Sequence, residues 1–246
     1  MSDIRICHLY PREMNIYGDR GNISVFKKRL EWRGYSSSTT MLGLGDQFNP
    51  KEFDLCYLGG GQDRDQSIVA HDLINKSSAL LSAAKDGVAF LWVCGGIQLA
   101  GAGYTDSRGQ RLPGVGLLDL DTSAGDERLI GDLALEAELE QEKCHVVGYE
   151  NHAGRTFLGP DTDPLGSVLK GHGNNGSDGK EGAVQRRVIG TYMHGPLLPK
   201  NPWLADKLLS WAIEHRIGEK PALVPLDDSL EDSARQIATS RTGMKR

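Results

Sequence analysis

Val88-Ala89-Phe90-Leu91-Trp92-Val93-Cys94-Gly95-Gly96-Ile97-Gln98 decides how the rest of this 246-residue chain reads. Six apolar residues in succession, Val88 to Val93, predict a short strand buried on both faces, as in the interior of a parallel sheet. Cys94 ends the run, and Gly95 and Gly96 open what reads as a helix. In open parallel sheets, sites form at the carboxyl ends of the strands. A side chain at a strand-to-helix turn is held above that edge, as in the elbow that presents a nucleophilic serine. The adjacent helix start supplies unpaired amides and partial positive charge, both of which favour thiolate over thiol. An arbitrary free cysteine is usually a small core residue. Strand, glycine pair and turn position together make Cys94 a candidate nucleophile. Cys7, Cys56 and Cys144 lack that setting and read as packing residues.

Outward from this stretch, the pattern repeats. Ile4 to Leu9 alternates as a strand, and Ile23, Phe26 and Leu30 mark a helix over 23–32 that Gly34 closes. Phe53 to Leu58 is a second short apolar run, ending in Gly59-Gly60-Gly61, and helical periodicity follows over 68–86. Strand and helix therefore alternate over the first hundred or so residues, the pattern of a parallel α/β sheet. Beyond it the signal weakens. Residues 134–142 alternate or coil around acidic positions, and 146–150 reads as a short strand. Gly171-His172-Gly173-Asn174-Asn175-Gly176-Ser177-Asp178-Gly179 is dense turn chemistry, expected as a long hairpin loop. Val188 to Met193 predicts a strand that delivers His194 to its end, and 201–217 a helix. The expected organisation is one domain over 1–219, with a polar tail over 220–246 left open between a terminal helix and disorder.

Composition sets the frame. Hydrophobic residues make up 39% and charged residues 25%, the balance of a soluble globular protein. With 28 basic against 33 acidic residues the net charge is −5, which excludes a dominantly basic surface and predicts no nucleic-acid partner. No stretch reaches the ~18 apolar residues that span a bilayer, so no membrane insertion is expected. The opening Met1-Ser2-Asp3-Ile4-Arg5 turns polar by Pro11 without an apolar signal core, predicting a cytoplasmic protein. The four cysteines have neither metal-ligand spacing nor the density of a disulfide scaffold, so reduced thiols and no metal are expected.

Two further features carry chemistry. Gly59-Gly60-Gly61 ends a buried strand, where residues without side chains let backbone amides approach a ligand or an anion. No Gly-Lys-Ser/Thr follows, so it is not a P-loop. Taken alone it is an ordinary tight turn. Beside a nucleophilic Cys94 its amides become oxyanion-hole donors. A nucleophilic thiol also needs a base. Of seven histidines, His194 sits at a predicted strand end before Gly195-Pro196; His145 and His152 are alternatives, and His71 and His215 fall on predicted helices.

These motifs, Gly59-Gly60-Gly61-Gln62-Asp63, Cys94-Gly95-Gly96-Ile97-Gln98 and Tyr192-Met193-His194-Gly195-Pro196, together resemble the class I glutamine amidotransferases, in the branch of the cobyric acid synthase amidotransferase domains. The opening Tyr10 to Asn22 and the Gly- and Asn-rich segment 173–182 narrow the resemblance, over residues 3–217, to amidotransferase subunits that work beside a Mur-ligase-like chain. The resemblance implies a three-layer, doubly wound, mostly parallel sheet of flavodoxin-like type. It implies L-glutamine as substrate, with Cys94 as nucleophile, His194 as acid and base, and amides near Gly60 and Gly95 as the oxyanion hole. Gln98 would help hold the substrate and Arg128 its α-carboxylate, although in isolation Asp126-Glu127-Arg128 reads as solvated surface charge. No cofactor is implied in this chain; ATP and Mg belong to the ligase partner of the heterodimer, which would present lipid II as acceptor.

Two departures stand out. Many class I enzymes place a glutamate two residues after the histidine, where this chain has Pro196. The subfamily's substitute is an aspartate corresponding to Asp19, which by itself reads equally as a turn residue. The position two before the cysteine, often small in the superfamily, is Trp92.

Overall fold

A computed structural model describes residues 3–16 and 20–241. The first half alternates β1 (Asp3–Leu9), α1 (Arg20–Trp32), β2 (Ser36–Leu42), β3 (Leu55–Leu58), α2 (Asp63–Leu73), α3 (Ser77–Lys85), β4 (Ala89–Val93) and α4 (Gly95–Ala100). The second half holds β5 (Gly103–Thr105), β6 (Arg111–Pro113), β7 (Leu120–Leu139), β8 (Glu142–Leu158), β9 (Gly166–Lys170), β10 (Lys180–Glu181), β11 (Ala183–Gln185) and β12 (Val188–Thr191). Helices α5 (Pro202–Ile217) and α6 (Ser229–Arg241) follow.

The main sheet runs β11-β12-β4-β3-β1-β2, and only the β11–β12 pair is antiparallel. From β1 the chain steps outward to β2, then back across to β3, β4 and β12, so the order reverses between β1 and β3. Such a reversal opens a crevice at the carboxyl ends of the strands. Helices α1 and α5 bury Phe26, Leu30, Leu204 and Leu208 against Ile4, Ile6, Leu91 and Val93 on one face. On the other, Val69, Leu73, Leu80 and Ile97 from α2, α3 and α4 pack on Cys7, Leu9, Phe90 and Trp92. This is the parallel α/β sheet that the alternation predicts, in the three-layer, doubly wound form that the family resemblance implies. Every residue of β3 and β4 is buried, which is why both read as continuous apolar runs rather than alternating ones. Trp92 is fully buried beside Phe90, with ring centroids 6.5 Å apart, so its bulk fills the core and leaves the edge of the sheet clear.

Two expectations need correction, and one strand carries no signal in the sequence. The helix over 68–86 is two helices, broken by a 3-10 turn at Ile74–Lys76 where Lys76 turns inward to Asp72 and lies 5.3 Å from the Tyr10 ring centre. Strand β2 is polar and part-exposed at the sheet edge, so no apolar run announces it. The largest departure is a second, mostly antiparallel sheet, β10-β9-β7-β5-β6 with β8 paired to β7. Residues 134–142, left open between alternation and coil, and 146–150, expected as a short strand, belong to two long strands and their turn, paired from Leu120↔Leu158 to Leu139↔Glu142. Their turn uses Glu140 and Gln141 at φ 51° and 68°, a left-handed pair usually supplied by Asn-Gly, so the hairpin lacks its usual sequence signal. Glu140 is held there by Trp211 Nε1 at 2.7 Å and by Lys207 and Lys220, contacts that pull its pKa down to about 2. The glycine-rich segment does form a hairpin loop, between β9 and β10. The tail carries α6, which rests against β7, β8 and the 3-10 turn Leu198–Lys200.

Candidate active site

The site is built at the carboxyl edge of the main sheet. Cys94 follows β4 directly and caps α4 with φ 54° and ψ −110°, a strained left-handed conformation for a residue with a side chain. Its amide donates to the Thr191 carbonyl at 2.8 Å, tying the elbow to β12. The glycines around it are required sterically. A Cβ on Gly96 would stand 3.0 Å from the Leu58 carbonyl oxygen, so only glycine lets α4 pack this closely on β3. A Cβ on Gly60 would stand 3.0 Å from the Cys94 Cβ and 3.5 Å from its Sγ. The Gly60 and Gly95 backbones thus flank the thiol, where oxyanion donors are needed.

His194 leaves the end of β12, whose Thr191 pairs with Val93 of β4, so Cys94 and His194 issue from adjacent parallel strands. The histidine is buried, its amide donates to the Tyr149 carbonyl at 3.0 Å, and its ring meets that tyrosine edge-on. Burial, followed by His152 and Arg128, lowers its pKa from 6.5 to about 4. A neutral imidazole able to take a thiol proton therefore persists at neutral pH.

Asp19 lies outside the described residues. The helix that begins just after it, however, is fixed against the segment following His194. A Cβ on Gly21 would collide with Pro196 at 2.6 Å, and Asn22 Oδ1 accepts from the Leu198 amide at 2.9 Å while its Nδ2 donates to the Tyr57 hydroxyl at 3.0 Å.

The second sheet completes the site. Cys94, Gln98, Arg128, Asn151 and His152 line one cleft, with Gln66 behind them. Arg128 sits where the β7–β8 register shifts between Ala124 and Leu129, and its guanidinium donates to Asn151 Oδ1 at 2.8 Å and to the Asn151 carbonyl at 2.9 Å. Arg128 is exposed, as its surface reading has it, and it also stands on the wall of the cleft. Gln98 is buried one turn into α4, where its Oε1 accepts from Gln66 at 2.7 Å and its Nε2 donates to the Tyr192 hydroxyl at 3.3 Å. Sequence reasoning missed Asn151, Gln66 and the hydroxyl of Tyr192, and left His152 among the alternatives. The polar Glu150-Asn151-His152 inside an otherwise alternating strand was the available signal.

Comparison with known proteins decides the family. Residues 5–202 match the CobB/CobQ-like glutamine amidotransferase domain. The chain belongs to this family. It is a glutamine amidotransferase, and its similarity to curated amidotransferases runs nearly end to end. It is 37% identical over 98% of its length to the GatD subunit of lipid II isoglutaminyl synthase (glutamine-hydrolysing) of Streptococcus pneumoniae, covering 92% of that protein. With the GatD subunit from Staphylococcus aureus it shares 34% identity over 100% of its own length and 99% of the relative's. The resemblance therefore continues through the tail, past the limit of 217 expected from the motifs. Among solved structures, PurLQS from Thermotoga maritima shares the fold, with a TM-score of 0.53 at 19% identity over 88% of this amidotransferase and 98% of that chain. Among the described residues, no helix is long and apolar enough to cross a membrane, and no group of metal-ligating side chains is found.

Proposed function

We propose that this amidotransferase is the glutamine-hydrolysing subunit of a two-chain ligase, releasing ammonia from L-glutamine for a Mur-ligase-like, ATP-dependent partner. The partner, which would carry ATP and Mg, activates the α-carboxyl of the D-glutamate in lipid II, and ammonia converts it to D-isoglutamine. The observation that carries the reading is the shared cleft, in which a strained Cys94 faces Gln98 and Arg128. The near end-to-end similarity to two lipid II isoglutaminyl synthase subunits supports the choice of acceptor.

The residues fit a thioester mechanism. Arg128, a planar fork of donors, holds the α-carboxylate of glutamine, and Gln98 helps fix the substrate. His194 takes the Cys94 proton, and the thiolate attacks the side-chain amide carbon while amides near Gly60 and Gly95 stabilise the oxyanion. The imidazolium gives its proton to the departing ammonia, leaving a γ-glutamyl thioester on Cys94. A water molecule that surrenders its proton to His194 then attacks the thioester, and glutamate leaves as the thiol is restored. Asp19 is the expected carboxylate partner of His194.

The test is glutamate release from L-glutamine by the parent and by Cys94→Ala, each with and without the ligase partner. Release should fall by about 10⁴-fold or more in the variant, and the partner should stimulate the parent. Full activity without any response to the partner would make the protein a freestanding glutaminase. No release by the folded parent under either condition would make it a non-catalytic interaction module.

A further inference from the structure

Pro196 removes the carboxylate that many class I enzymes place just after the base, and a second buried carboxylate stands behind this site. Glu150 on β8 is completely buried. The antiparallel bridge between Tyr149 and His194 places it one residue from the backbone that holds the base. The glycine-rich loop is shaped around its carboxylate: the His172 amide donates to Oε1 at 2.7 Å and the Gly173 amide to Oε2 at 3.0 Å. Gly171, at φ 103°, passes so close that a Cβ there would lie 2.8 Å from Oε1. Oε2 also faces His152 Nε2 at 3.5 Å, while His152 Nδ1 lies 2.9 Å from the Gly154 carbonyl oxygen. The His152 ring is stacked on Tyr192 at 3.5 Å with an interplanar angle of 10°, and it lines the Cys94 cleft. Both members of the pair are therefore held on several sides, as in a rigid buried polar network.

We propose that Glu150, together with His152, is a positioning pair that sets the electrostatic environment of the His194 base, beside the Asp19 expected to orient its ring. The proposal rests on His194 being the base of the glutaminase reaction. The groups acting on His194 have opposed signs. His152 on β8, Arg128 on β7 and Lys200 in the 3-10 turn push its pKa down, and Glu150 pushes it up. Glu181 on β10 is the acid that feels Glu150 in turn; burial chiefly, with Glu150 contributing, raises it to about 7. Its carboxylate accepts from the Tyr192 amide at 2.9 Å and from the Thr191 hydroxyl at 2.5 Å, next to the base.

The opposed signs give a test that a packing role cannot imitate. In the full chain, the imidazole of His194 is titrated by NMR, its resonance assigned by loss in His194→Gln. Glu150→Gln should move the midpoint to lower pH and His152→Gln to higher pH, each by roughly half a unit or more. The acid limb of glutamate release should follow in the same directions, with kcat lowered in Glu150→Gln and KM little changed. Should Glu150→Gln not fold, His152→Gln decides alone, because it leaves the loop amides on Glu150 intact. Shifts of opposite sign, or an upward shift in His152→Gln alone, sustain the proposal. Shifts of the same sign, or no shift in folded His152→Gln, overturn it. The titration needs no turnover, so a parent that titrates as described but releases no glutamate sinks the glutaminase reading separately.

Discussion

The main parallel sheet and the antiparallel hairpin of β7 and β8 contribute to one site by different physical routes. In the sheet, Cys94 and the glycines at 60, 95 and 96 are positioned by local rules: a buried strand, a sharp turn and a helix start within a dozen residues. In the hairpin, Arg128, Asn151 and His152 are positioned by pairing between distant segments, with Leu129 opposite His152 across the strands. The sheet delivers Cys94 and His194, the proposed nucleophile and base, and the hairpin brings Arg128, Asn151 and His152 to the wall of the cleft. A strained elbow belongs beside the fully buried strands β3 and β4, because neighbouring structure must over-determine it. Under the proposed reading, recognition of glutamine falls to the hairpin, whose outer face is exposed and whose register shifts between Ala124 and Leu129, around Arg128.

This division can be broken or sharpened by experiment. The largest effect after loss of Cys94 itself is expected at Gly60. Gly60→Ala drives a methyl group to 3.0 Å from the Cys94 Cβ and against Ile16, displacing the thiol from its donors. Glutamate release should fall by about 10²-fold with the fold retained, measured by steady-state assay beside circular dichroism. An unchanged rate would remove the glycine loop from the oxyanion site.

The next effect is on pH. An ordinary histidine base of pKa about 6.5 would lose about 30-fold of its neutral form by pH 5. His194, held near 4 by burial, stays neutral there, so kcat/KM should remain nearly flat from pH 7 to 5.5. The linkage sign follows from the same shift. The folded protein binds fewer protons at His194 than the unfolded chain between pH 6.5 and about 4, so the stability this group contributes is full above 6.5 and is lost as pH falls through that window. A parent kcat/KM that falls away below pH 6.5, or a loss of stability below pH 6.5 that is unchanged in His194→Gln, would contradict this environment for the ring.

The smallest effect concerns the loop behind the hairpin. Asn174 is fully buried and spans the loop, with Nδ2 donating to the Gly182 carbonyl at 2.8 Å and Oδ1 accepting from its amide at 2.9 Å. Asn174→Ala should cost about 1–3 kcal/mol of unfolding free energy, read as a lower Tm. Glutamate release by the remaining folded fraction should change much less than in Gly60→Ala.

How much was legible follows the same boundary. Buried parallel strands announce themselves as apolar runs, so β3, β4 and β12 and the two residues they deliver, Cys94 and His194, could be read directly. The hairpin could not. β7 carries Ser123-Ala124-Gly125-Asp126-Glu127-Arg128 across its register shift, which reads as a polar loop, and its turn has Glu140-Gln141 where glycine or asparagine is usual. Arg128 could be placed only through the family motif, since nothing local distinguishes it from surface charge. The Gly171–Gly179 loop was legible as a turn but not as the cradle of Glu150, because a buried carboxylate leaves no mark on the sequence of the amides that hold it.

The most direct test of the two-part site is the labelling of Cys94 in parent and Arg128→Ala, followed by intact-protein mass spectrometry. Two electrophiles are compared: a glutamine analogue bearing a reactive group in place of the side-chain amide, and iodoacetamide, which needs no recognition. The sheet alone should set the iodoacetamide rate, so both proteins react alike. The hairpin should be needed for the analogue, so Arg128→Ala slows that reaction by about tenfold or more. Equal slowing of both reagents, or of neither, would contradict the assignment of recognition to the hairpin and reaction to the sheet.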